Sequence, residues 1–513
     1  MTLPQPGLCA LAWISFAPLL RVCLETERRA AAARAGWLFG IAFYAVAAHW
    51  VYSTCRFAGI PVPVAAAAWL ALSVASGLPW AALGLISSIL GRALPLWAWP
   101  WACAILWTAL EFIMERTTPG LGLVLLEYTQ WKHLAWIQGA SWAGPHGLAF
   151  LIIAWNALLA AAAAAWRVNG RLPKSLRASG IGVCLALFLW WSYGTAVLQR
   201  RAGMEPALSR GPASFAPERT VVVLQPNVDQ YQKWDETYAD RIRAGFDELL
   251  ARAAKSKPDL VLWPESSLPG WLEEKENFYW VGNWVRKTQA YHAVGAMTRS
   301  ERRERNSIVF FDPAGELAGF YHKRRRVPFG EFVPLRGVFE PFVGILAQMG
   351  NLEAGPSRPA RLTLPWGYAG MTICFEAMFP ELSRRSVQIQ EGAWPLRLLV
   401  NVTNDGWYKD TWAPYQHFYA NVFRAVENRV SVLRAANTGI SGRIDPFGAV
   451  AARSELGMRG TLELRVPQTD PFPRGSFYSR NGDWLGWACV LLAAVIVGAG
   501  LLKMRRRGAI LGS

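Results

Sequence analysis

The sequence predicts an α/β domain, built as a layered sandwich, that is inserted between transmembrane α-helices. Of its 513 residues, 53% are hydrophobic and only 17% are charged, whereas about 25% are charged in a typical soluble protein. The apolar residues lie in long blocks towards the two ends of the chain, and a polar stretch with short apolar runs lies between them. A membrane protein with one large soluble insert accounts for both observations.

Several apolar blocks come near the length of about 20 residues that a helix needs to cross the hydrocarbon core. They lie at residues 8–23, 37–51, 60–90, 96–112, 148–166, 181–197 and 484–502. The mixed, aromatic stretch 114–139 is expected to be an interfacial or re-entrant loop. We therefore expect an N-terminal transmembrane domain over 1–199, a soluble insert over 200–482, and a C-terminal transmembrane helix with a basic tail over 483–513.

Basic residues between these blocks predict the orientation of the chain. Arginines and lysines lie at 28–34, 92, 167–177 and 503–507, and such segments belong on the cytoplasmic side of a membrane. Counting spans between them places the insert on the outer side of the membrane. The same count places Met1 outside, so we expect either that the chain begins on that side or that an earlier helix is absent, for which a start assigned too late would be one explanation. The first block lacks the basic region and cleavage site of a signal peptide.

The net charge of +17 does not indicate nucleic-acid binding. The arginines cluster beside the apolar blocks and in short loops, where the orientation bias and anionic lipid headgroups explain them. The sequence has no zinc-type cysteine spacing, no phosphate-binding glycine loop and no basic stripe interleaved with aromatic residues. We therefore expect no nucleic-acid partner, no metal and no organic cofactor.

Short apolar runs bounded by Pro, Gly, Asn or Asp predict the strands of the insert. They are 220–224, 260–263, 293–297, 308–311, 370–373, 398–402 and 432–435. Apolar residues at helical spacing predict helices over 239–254 and 416–428. Helices separate some of these strands and only turns separate others, a mixture that favours a layered sandwich over a simple Rossmann sheet.

One cysteine stands apart from the others. Of the seven cysteines, only Cys374 lies in the polar middle of the chain, so it has no disulfide partner there and a reactive role is open to it. An apolar, β-branched run leads into Cys374 and Pro380 follows it, which predicts a strand, a sharp turn and a helix, the local structure that projects a nucleophile. The alternative is a buried structural cysteine, because a free cysteine also behaves as a small hydrophobe.

Charged residues near other predicted strand ends supply the remaining groups of thiol acyl transfer. Glu265 follows the strand 260–263, and Lys323 and Glu331 lie in a later segment. An ammonium stabilises a thiolate, and a carboxylate can accept the thiol proton. Each residue has an alternative interpretation. Glu265 would be an exposed loop carboxylate, Lys323 a contact to lipid phosphates, and Glu331 a helix cap or the partner of an arginine, but these alternatives do not explain the combination.

Three motifs taken together resemble the nitrilase, or carbon–nitrogen hydrolase, superfamily. They are Trp263-Pro264-Glu265, then Lys323 followed by Val-Pro-Phe-Gly-Glu-Phe-Val-Pro at 327–334, then Ile373-Cys374-Phe375-Glu376. With membrane spans on both sides of these motifs, the chain resembles the apolipoprotein N-acyltransferase family over nearly its whole length. The resemblance implies that the insert is a nitrilase-like α-β-β-α sandwich with catalytic function.

The resemblance also implies a role for each matching residue. Glu265 would be the general base, Cys374 the nucleophile, and Lys323 the group that stabilises the thiolate and the oxyanion. Glu331 would orient Lys323. The positions around the acyl pocket and its mouth are matched by Trp234, Phe375, Glu376 and Trp407. Many relatives carry tyrosine where this chain has Phe375. Any role of the tyrosine hydroxyl in those relatives therefore has no equivalent in this chain.

Two histidines raise a Cys–His protease as an alternative. His322 adjoins Lys323, and on an extended strand its side chain is expected on the opposite face. His417 lies at the start of a predicted helix, and we interpret it as structural.

The implied activity is a ping-pong transfer of an acyl chain from a membrane phospholipid, through a thioester on Cys374, to the α-amino group of a diacylglyceryl-apolipoprotein. The enzyme is expected to be a monomer in the bacterial inner membrane. An alternative in the same superfamily is a membrane-anchored amidase that hydrolyses a small-molecule amide. A transporter or lipid-binding scaffold would need ionisable residues inside the spans, for which His49 and Glu111 are the candidates, both near span ends.

Overall fold

The structure is a computed structural model that describes residues 9–117, 124–209, 218–300, 303–328, 330–333, 352–388, 396–467 and 472–511. The description leaves out the side chains of residues 203–209, 234 and 504–511. The chain divides into two compact units. The helical unit comprises Met1–Arg201 and Asn481–Ser513, and the sheet unit comprises Ala202–Arg480.

The helical unit consists of helices and short connections over its described residues. The helices are α1 (Ala17–Glu25), α2 (Arg29–Ala47), α3 (Trp50–Phe57), α4 (Val62–Ser76), α5 (Leu78–Ala93), α6 (Trp99–Thr117), α7 (Leu134–Ile137), α8 (Ala140–Ala143), α9 (His146–Asn169), α10 (Lys174–Ser209) and a C-terminal helix (Trp484–Leu511), with 3₁₀ helices at Cys9–Trp13 and Leu126–Gln130. Among the described residues, five segments are long and apolar enough to cross a membrane: Arg29–Ala47, Val62–Ala93, His146–Asn169, Lys174–Ala202 and Trp484–Lys503. Such segments are typical of a membrane protein.

Two of the predicted spans consist of shorter helices. Residues 9–23 form a 3₁₀ helix and most of the nine-residue helix α1, and residues 60–90 form α4 and α5, which meet at Gly77. Both α1 and α5 have proline within their first two residues. Proline fits the first turn of a helix, but inside a helix it removes a hydrogen bond and clashes with the preceding turn. These prolines therefore mark helix starts within long, mainly apolar blocks.

The packing of α2 against α5 depends on small residues. A Cβ at Gly36 would lie 2.1 Å from the carbonyl oxygen of Trp80, and a Cβ at Gly84 would lie 2.3 Å from that of Ala32. The Trp80 ring is buried and stacks on Phe16, with ring centroids 5.3 Å apart. Small residues at such crossings let helix backbones approach closely, which is how helices associate in a membrane.

The sheet unit contains two six-stranded sheets. The strands are β1 (Arg219–Gln225), β2 (Leu260–Leu262), β3 (Tyr291–Ser300), β4 (Arg303–Phe311), β5 (Leu317–His322), β6 (Arg361–Leu364), β7 (Gly367–Ile373), β8 (Arg397–Thr403), β9 (Ser431–Ala436), β10 (Gly442–Ile444), β11 (Val450–Arg453) and β12 (Gly460–Val466). The helices are α11 (Ala239–Lys255), α12 (Lys275–Thr288), α13 (Pro380–Ser386), α14 (Ala413–Asn428) and α15 (Phe477–Asn481), with 3₁₀ helices at Gln232–Trp234, Glu236–Tyr238 and Cys374–Met378.

The two sheets share one pattern of strand directions. Their strand orders are β12-β1-β2-β3-β4-β5 and β11-β10-β9-β8-β7-β6. Three neighbouring strands are parallel in each sheet, β1-β2-β3 and β7-β8-β9, and the flanking strands are antiparallel. In α/β sheets, ligands bind outside the carboxyl ends of parallel strands. A site is therefore expected at the carboxyl ends of these parallel strands, which include β2, β7 and β8.

Helices cover the sheets on their outer sides. Val222 of β1, Phe246 of α11 and Val285 of α12 belong to one buried cluster, and nearly every residue of α14 is buried. The sheets meet each other through contacts of β1 with β9 and of β4 with β7. This layering confirms the predicted α/β sandwich.

The seven predicted strands and the two predicted helices are all present, with bounds that differ by a few residues. The sequence analysis misses β5, β6, β10, β11, β12, α12 and α15. Of these, β5 and β11 are partly exposed edge strands of their sheets. A strand with one solvent-exposed side lacks the continuous apolar run that identifies a buried strand.

Candidate active site

Glu265 lies in a tight loop just after β2. Ser266 has a positive φ of 48°, and the Ser267 hydroxyl donates to the carbonyl oxygen of Pro264 at 2.7 Å. The loop packs directly on β3, where a Cβ at Gly295 would lie 2.1 Å from the same carbonyl oxygen. Glu265 is only 6% exposed, so it is not an exposed loop carboxylate.

Both carboxylate oxygens of Glu265 accept hydrogen bonds. Oε1 accepts from Asn306 Nδ2 at 2.6 Å and from Lys323 Nζ at 3.1 Å, and Oε2 accepts from the backbone N–H of Asn404 at 2.7 Å. Burial alone would raise the pKa of this carboxyl. The charge of Lys323, the hydrogen bond from Asn306 and the charge of Lys233 outweigh burial and lower the pKa below its ordinary value. Glu265 is therefore an anion that is able to accept a proton.

The buried Lys323 ammonium lies between two carboxylates. Its Nζ donates to Glu331 Oε1 at 2.8 Å and to Glu265 Oε1 at 3.1 Å. Glu331 is held in turn by Asn306 Nδ2 at 2.9 Å and by the backbone N–H of Val327 at 2.8 Å. Burial would lower the pKa of Lys323, but Glu265 and Glu331 raise it well above the ordinary value. The ammonium therefore stays charged, and we name Glu265, Asn306, Lys323 and Glu331 the Lys323 cluster.

Cys374 lies immediately after β7 and begins the 3₁₀ helix Cys374–Met378. Its φ is +50°, in the left-handed region where a non-glycine residue is strained. The helix α13 follows directly, with Pro380 in its first turn. This confirms the strand, sharp turn and helix predicted from the sequence.

The Cys374 thiol is buried beside charged groups. Burial raises its pKa most, and the charges of Glu265 and Asp405 raise it further. Lys323 and a hydrogen bond with Thr403 act in the opposite direction and do not compensate. The resting site therefore holds a neutral thiol next to a carboxylate of lowered pKa and a permanent ammonium.

This arrangement is suited to nucleophilic acyl transfer. A neutral thiol is a poor nucleophile until a base takes its proton, and Glu265 is a carboxylate that can do so. The Lys323 charge is fixed in place and can stabilise negative charge that develops on sulfur or on a substrate oxygen. A thiol, a base and a fixed cation are the groups that covalent catalysis at an acyl carbon requires.

The sequence analysis does not single out three residues that complete this site. Asn306 donates to both carboxylates of the Lys323 cluster, and the backbone of Asn404 donates to Glu265. Lys233 is buried, and its Nζ donates to the backbone carbonyl oxygen of Glu265 at 3.0 Å. Burial lowers the pKa of Lys233 to about 8, against the raising effect of Glu265. Lys233 adjoins Trp234 and Asn404 lies in the same loop as Trp407, two residues that the sequence analysis does single out, whereas nothing in the sequence marks Asn306.

His417 supports the backbone of the Cys374 turn. Its Nε2 donates to the carbonyl oxygen of Cys374 at 2.9 Å, and its Nδ1 lies 2.8 Å from Oδ1 of Asp405. Arg434 donates to the other oxygen of Asp405 at 2.7 Å. Burial would raise the pKa of Asp405, but Arg434 and His417 lower it to about 2. This geometry directs His417 at the backbone and not at the thiol, so it does not support a Cys–His protease.

Glu376 has its carboxylate inside the protein. It is fully buried and accepts hydrogen bonds from the backbone N–H groups of Ile373, Arg324 and Arg325 and from the Tyr321 hydroxyl. Its pKa is raised by burial, against the lowering effects of these partners. Glu376 thereby ties the Cys374 turn to the end of β5, which carries Lys323.

The other residues predicted to line the acyl pocket lie in different surroundings. Phe375 is buried against Phe379, with ring centroids 5.0 Å apart at an interplanar angle of 85°. Trp407 is 40% exposed in the loop after β8. Trp234 ends a 3₁₀ helix, and its side chain lies outside the described residues. Phe375 and Trp407 thus place aromatic surface beside the cysteine turn and on the loop that follows Asn404.

Fold and site together define the class of protein. A carboxylate, an ammonium and a thiol lie at strand ends of a two-sheet α/β sandwich, as expected of a nitrilase-type thiol enzyme. The Carbon-nitrogen hydrolase family matches residues 228–469, and the Apolipoprotein N-acyltransferase N-terminal domain family matches residues 1–158.

Three relatives match the chain over nearly its whole length. Apolipoprotein N-acyltransferase of Geobacter metallireducens is 33% identical over 518 residues, which cover 99% of this chain and 93% of that protein. The proteins of the same name from Brucella melitensis and Azotobacter vinelandii are 30% and 31% identical, cover 97% and 96% of this chain, and are themselves covered to 89% and 91%. The chain therefore belongs to the apolipoprotein N-acyltransferase family.

Proposed function

We propose that the chain transfers a fatty acyl group from a membrane phospholipid to the α-amino group of diacylglyceryl-apolipoproteins. One observation carries the proposal, the electrostatic environment of Cys374. Its thiol is buried and neutral, and the charges of the Glu265 carboxylate and the Lys323 ammonium both act on it. Membership of the family over the whole chain supports the activity. Both substrates are lipids. The segments that are long and apolar enough to cross a membrane would anchor the enzyme in the bilayer that contains these lipids.

In the first step, Glu265 takes the proton of the Cys374 thiol as sulfur attacks the ester carbonyl of the phospholipid, at its sn-1 position. A carbon–sulfur bond forms, and the negative charge that moves to the carbonyl oxygen is stabilised by Lys323. The ester carbon–oxygen bond then breaks, and the leaving alkoxide receives the proton from Glu265. The products are a lysophospholipid and a thioester on Cys374.

In the second step, the α-amine of the apolipoprotein attacks the thioester. The amine must be neutral, and an ordinary α-amino pKa of about 8 makes the neutral form accessible. Glu265 accepts the amine proton as the carbon–nitrogen bond forms and returns a proton to sulfur as the carbon–sulfur bond breaks. The two half-reactions share one site, so the kinetics are ping-pong.

The Lys323 cluster supports a role for Glu331 in this mechanism. Its hydrogen bond at 2.8 Å fixes the Lys323 ammonium, so Glu331 is a positioning residue. Phe375 and Trp407 would offer aromatic surface to the acyl chain and to the entering lipid, and Trp234 would extend that surface. The Glu376 carboxylate accepts hydrogen bonds from the backbone N–H of Ile373 and from the Tyr321 hydroxyl. These bonds support a positioning role for Glu376 in place of direct contact with substrate.

We place the enzyme in the bacterial inner membrane, as a monomer, with residues 200–482 in the periplasm. The basic segments 28–34, 167–177 and 503–507 support this orientation because such segments stay in the cytoplasm. The phospholipid is the donor and the diacylglyceryl-apolipoprotein is the acceptor.

The alternative of a membrane-anchored amidase for small molecules is not favoured. The relatives that match the whole chain bear the name of the acyltransferase, and residues 1–158 match the N-terminal domain of that family. In the mechanism, the two activities differ in what discharges the acyl-enzyme, an amine or water.

The test is the intact mass of the purified protein after incubation with phospholipid alone. We expect a gain of one fatty acyl group, and we expect a diacylglyceryl-cysteine peptide to discharge it. The Cys374→Ser variant should show no thioester, and Cys55→Ser, a change at a cysteine of the helical unit, should behave as the unaltered protein. Absence of the adduct in the unaltered protein, or discharge by water as fast as by the peptide, would contradict the proposal.

A further inference from the structure

The helical unit contains a second cluster of buried ionisable side chains. Glu111 and Glu115 lie on α6, Glu127 lies in the 3₁₀ helix Leu126–Gln130, and His146 is the first residue of α9. All four residues are 2% exposed or less. We name them the His146 cluster.

The spacing within the His146 cluster is unusual for hydrogen-bonded groups. Nδ1 of His146 lies 3.6 Å from Oε2 of Glu111 and 3.8 Å from Oε1 of Glu127. One ligand atom of each of these three residues lies within 4.8 Å of the other two. N–H···O hydrogen bonds have donor–acceptor distances of about 2.7–3.2 Å, so the three groups face one another across a gap.

The facing atoms lack hydrogen-bond partners within the described residues. Both oxygens of Glu127, both ring nitrogens of His146 and Oε2 of Glu111 are buried and make no hydrogen bond in that part of the chain. The other oxygen of Glu111 accepts from the backbone N–H of Leu126 at 3.2 Å. Burying a charged or polar group without a partner is costly, and here several such atoms point at one place.

A bound cation fits the gap. Ligand atoms that lie about 2.0–2.2 Å from a tetrahedral zinc ion are about 3.3–3.6 Å from one another. The two observed distances from His146 Nδ1, 3.6 and 3.8 Å, are within a few tenths of an ångström of that range. Imidazole nitrogen and carboxylate oxygen are ligands that zinc and other divalent first-row metals accept, and a divalent ion would balance two carboxylate charges.

Glu115 occupies the place of an outer-sphere partner. Its Oε2 lies 3.0 Å from Nε2 of His146, on the side of the ring away from Nδ1, although the angle is not that of a hydrogen bond. Histidines that bind a metal through one ring nitrogen almost always donate the other N–H to a carboxylate, carbonyl or water. Arg116 lies 3.6 Å from the other oxygen of Glu115 and 2.6 Å from Asp483.

We propose that Glu111, Glu127 and His146 bind a divalent transition-metal cation of the zinc class through two carboxylates and Nδ1, with Glu115 orienting the imidazole. The ion would join α6, the 3₁₀ helix Leu126–Gln130 and α9. This site lies in the helical unit, is not part of the acyl-transfer mechanism and does not depend on the proposed function.

The test uses the full-length protein in detergent, stripped with a chelator and then dialysed against limiting Zn²⁺, with the metal content measured by elemental mass spectrometry. We expect one tightly held ion per chain in the unaltered protein. Co²⁺ loaded instead should give ligand-field absorption without a thiolate charge-transfer band, because the proposed ligands are nitrogen and oxygen. An unaltered protein that retains neither Zn²⁺ nor Co²⁺ would overturn the proposal, and that result does not depend on any variant folding.

Substitutions inside and outside the His146 cluster test which residues bind the ion. Glu127→Gln and His146→Gln should lose it, whereas Glu25→Gln, a carboxylate of the same unit outside the cluster, should keep it. Cys9→Ser should also keep it, which excludes the pair Cys9 and His133, whose Sγ and Nε2 lie 3.0 Å apart, as the source of the metal. Equal metal content in Glu127→Gln and the unaltered protein would overturn the assignment.

The Glu115→Gln variant tests the outer-sphere role. Loss of such a partner weakens metal binding by about 10- to 100-fold, so the variant should bind Zn²⁺ with an affinity reduced by that factor and with the same stoichiometry. An unchanged affinity would contradict the role of Glu115. The Cys374→Ser variant should bind the ion fully, so failure of the metal site and failure of the acyl-transfer proposal are separate outcomes.

Discussion

The protein contains two buried clusters of charge that use similar residues and differ in how they are completed. In the Lys323 cluster the ammonium lies 3.1 Å from Glu265 and 2.8 Å from Glu331. Asn306 donates to both carboxylates. The second oxygen of each carboxylate accepts a backbone N–H, from Asn404 and from Val327.

In the His146 cluster most of the carboxylate oxygens and both imidazole nitrogens have no hydrogen-bond partner within the described residues. Within the described residues, Glu127 accepts no hydrogen bond, and the ring nitrogens of His146 donate none. Placing charge inside a protein is costly unless it is paired and hydrogen-bonded. The difference teaches that the ammonium and carboxylates of the Lys323 cluster find their partners within the chain, whereas the described part of the His146 cluster leaves room for a partner from outside the chain.

The largest effect should come from breaking the complete cluster. Lys323→Met removes the cation between Glu265 and Glu331 and leaves two buried carboxylates facing each other. Breaking a buried ion pair costs about 3–5 kcal/mol, and the variant should form no acyl-enzyme. Denaturant unfolding of the detergent-solubilised protein, followed by tryptophan fluorescence, measures the first effect, and intact mass measures the second.

The matched control is Lys409→Met. Lys409 pairs with Asp229 at 2.6 Å, but the two side chains are 44% and 36% exposed. Exposed ion pairs contribute about 0–1 kcal/mol, so this variant should unfold nearly as the unaltered protein does. Equal destabilisation by the two lysine substitutions would remove the contrast between buried and exposed pairing.

A smaller effect on stability should come from the His146 cluster, and its sign should depend on whether Zn²⁺ is present. Glu127→Gln replaces a buried carboxyl group that has no hydrogen-bond donor in the described residues. In chelator, the variant should therefore unfold no earlier than the unaltered protein. With Zn²⁺ at a hundred times its dissociation constant, binding should raise the free energy of unfolding of the unaltered protein by about 2.7 kcal/mol. The free energy of unfolding of the variant should not change.

Thermal unfolding with and without Zn²⁺ measures this effect. If Glu127→Gln is as destabilising in chelator as Lys323→Met, then the His146 cluster is complete without an ion, and the two regions do not differ in the way described.

The smallest effect should be a shift in the pH dependence of thioester formation. Glu265 acts as a carboxylate, and its pKa is lowered from the ordinary value, which is about 4.3. The rate should therefore hold through neutral pH and fall only below that value. The charge of Lys233 helps to lower this pKa, so in Lys233→Met the pKa of Glu265 rises and the acid limb moves to higher pH.

The measurement is the rate of acyl-enzyme formation from quenched samples across the acid limb. A carboxyl with a lowered pKa in the folded state also stabilises the fold above its unfolded pKa, and this contribution is lost as pH falls through the folded value. Acid stability should therefore shift in the same direction as the rate. The control Lys409→Met should leave the acid limb where it is in the unaltered protein. If Lys233→Met also leaves it there, then Lys233 acts only through its hydrogen bond.

The sequence predicts the scaffold of the site better than its inner contacts. Cys374 and Glu265 follow buried parallel strands, whose apolar runs are visible in the sequence, and the turn at Cys374 is where the strand pattern places it. Asn306 depends on the pairing of β4 with β5, in which Ser307 lies opposite His322. Such pairing brings Asn306 next to Lys323, although no local pattern distinguishes this asparagine from any other.

The His146 cluster is hidden from the sequence for a related reason. Glu111 is visible as an ionisable residue near the end of a span, but Glu127 falls in the stretch predicted as an interfacial loop. His146 lies at the start of α9, 35 positions after Glu111 in the numbering. Only the packing of α6 and α9 brings them together, and packing partners are not a property of either helix alone.

The pairing of β12 with β1 has a consequence for the nascent chain. The two strands pair along their whole length, from Arg219 opposite Val466 to Gln225 opposite Gly460. A ribosome adds about 5–20 residues per second, so after β1 has been made, roughly 10–50 s pass before β12 exists. During that time the backbone N–H and C=O groups that β1 shares with β12 have no partner strand, and an open strand edge can pair with other chains. The sheet that contains β1 and β12 therefore reaches its full strand order only when synthesis of the sheet unit is nearly complete.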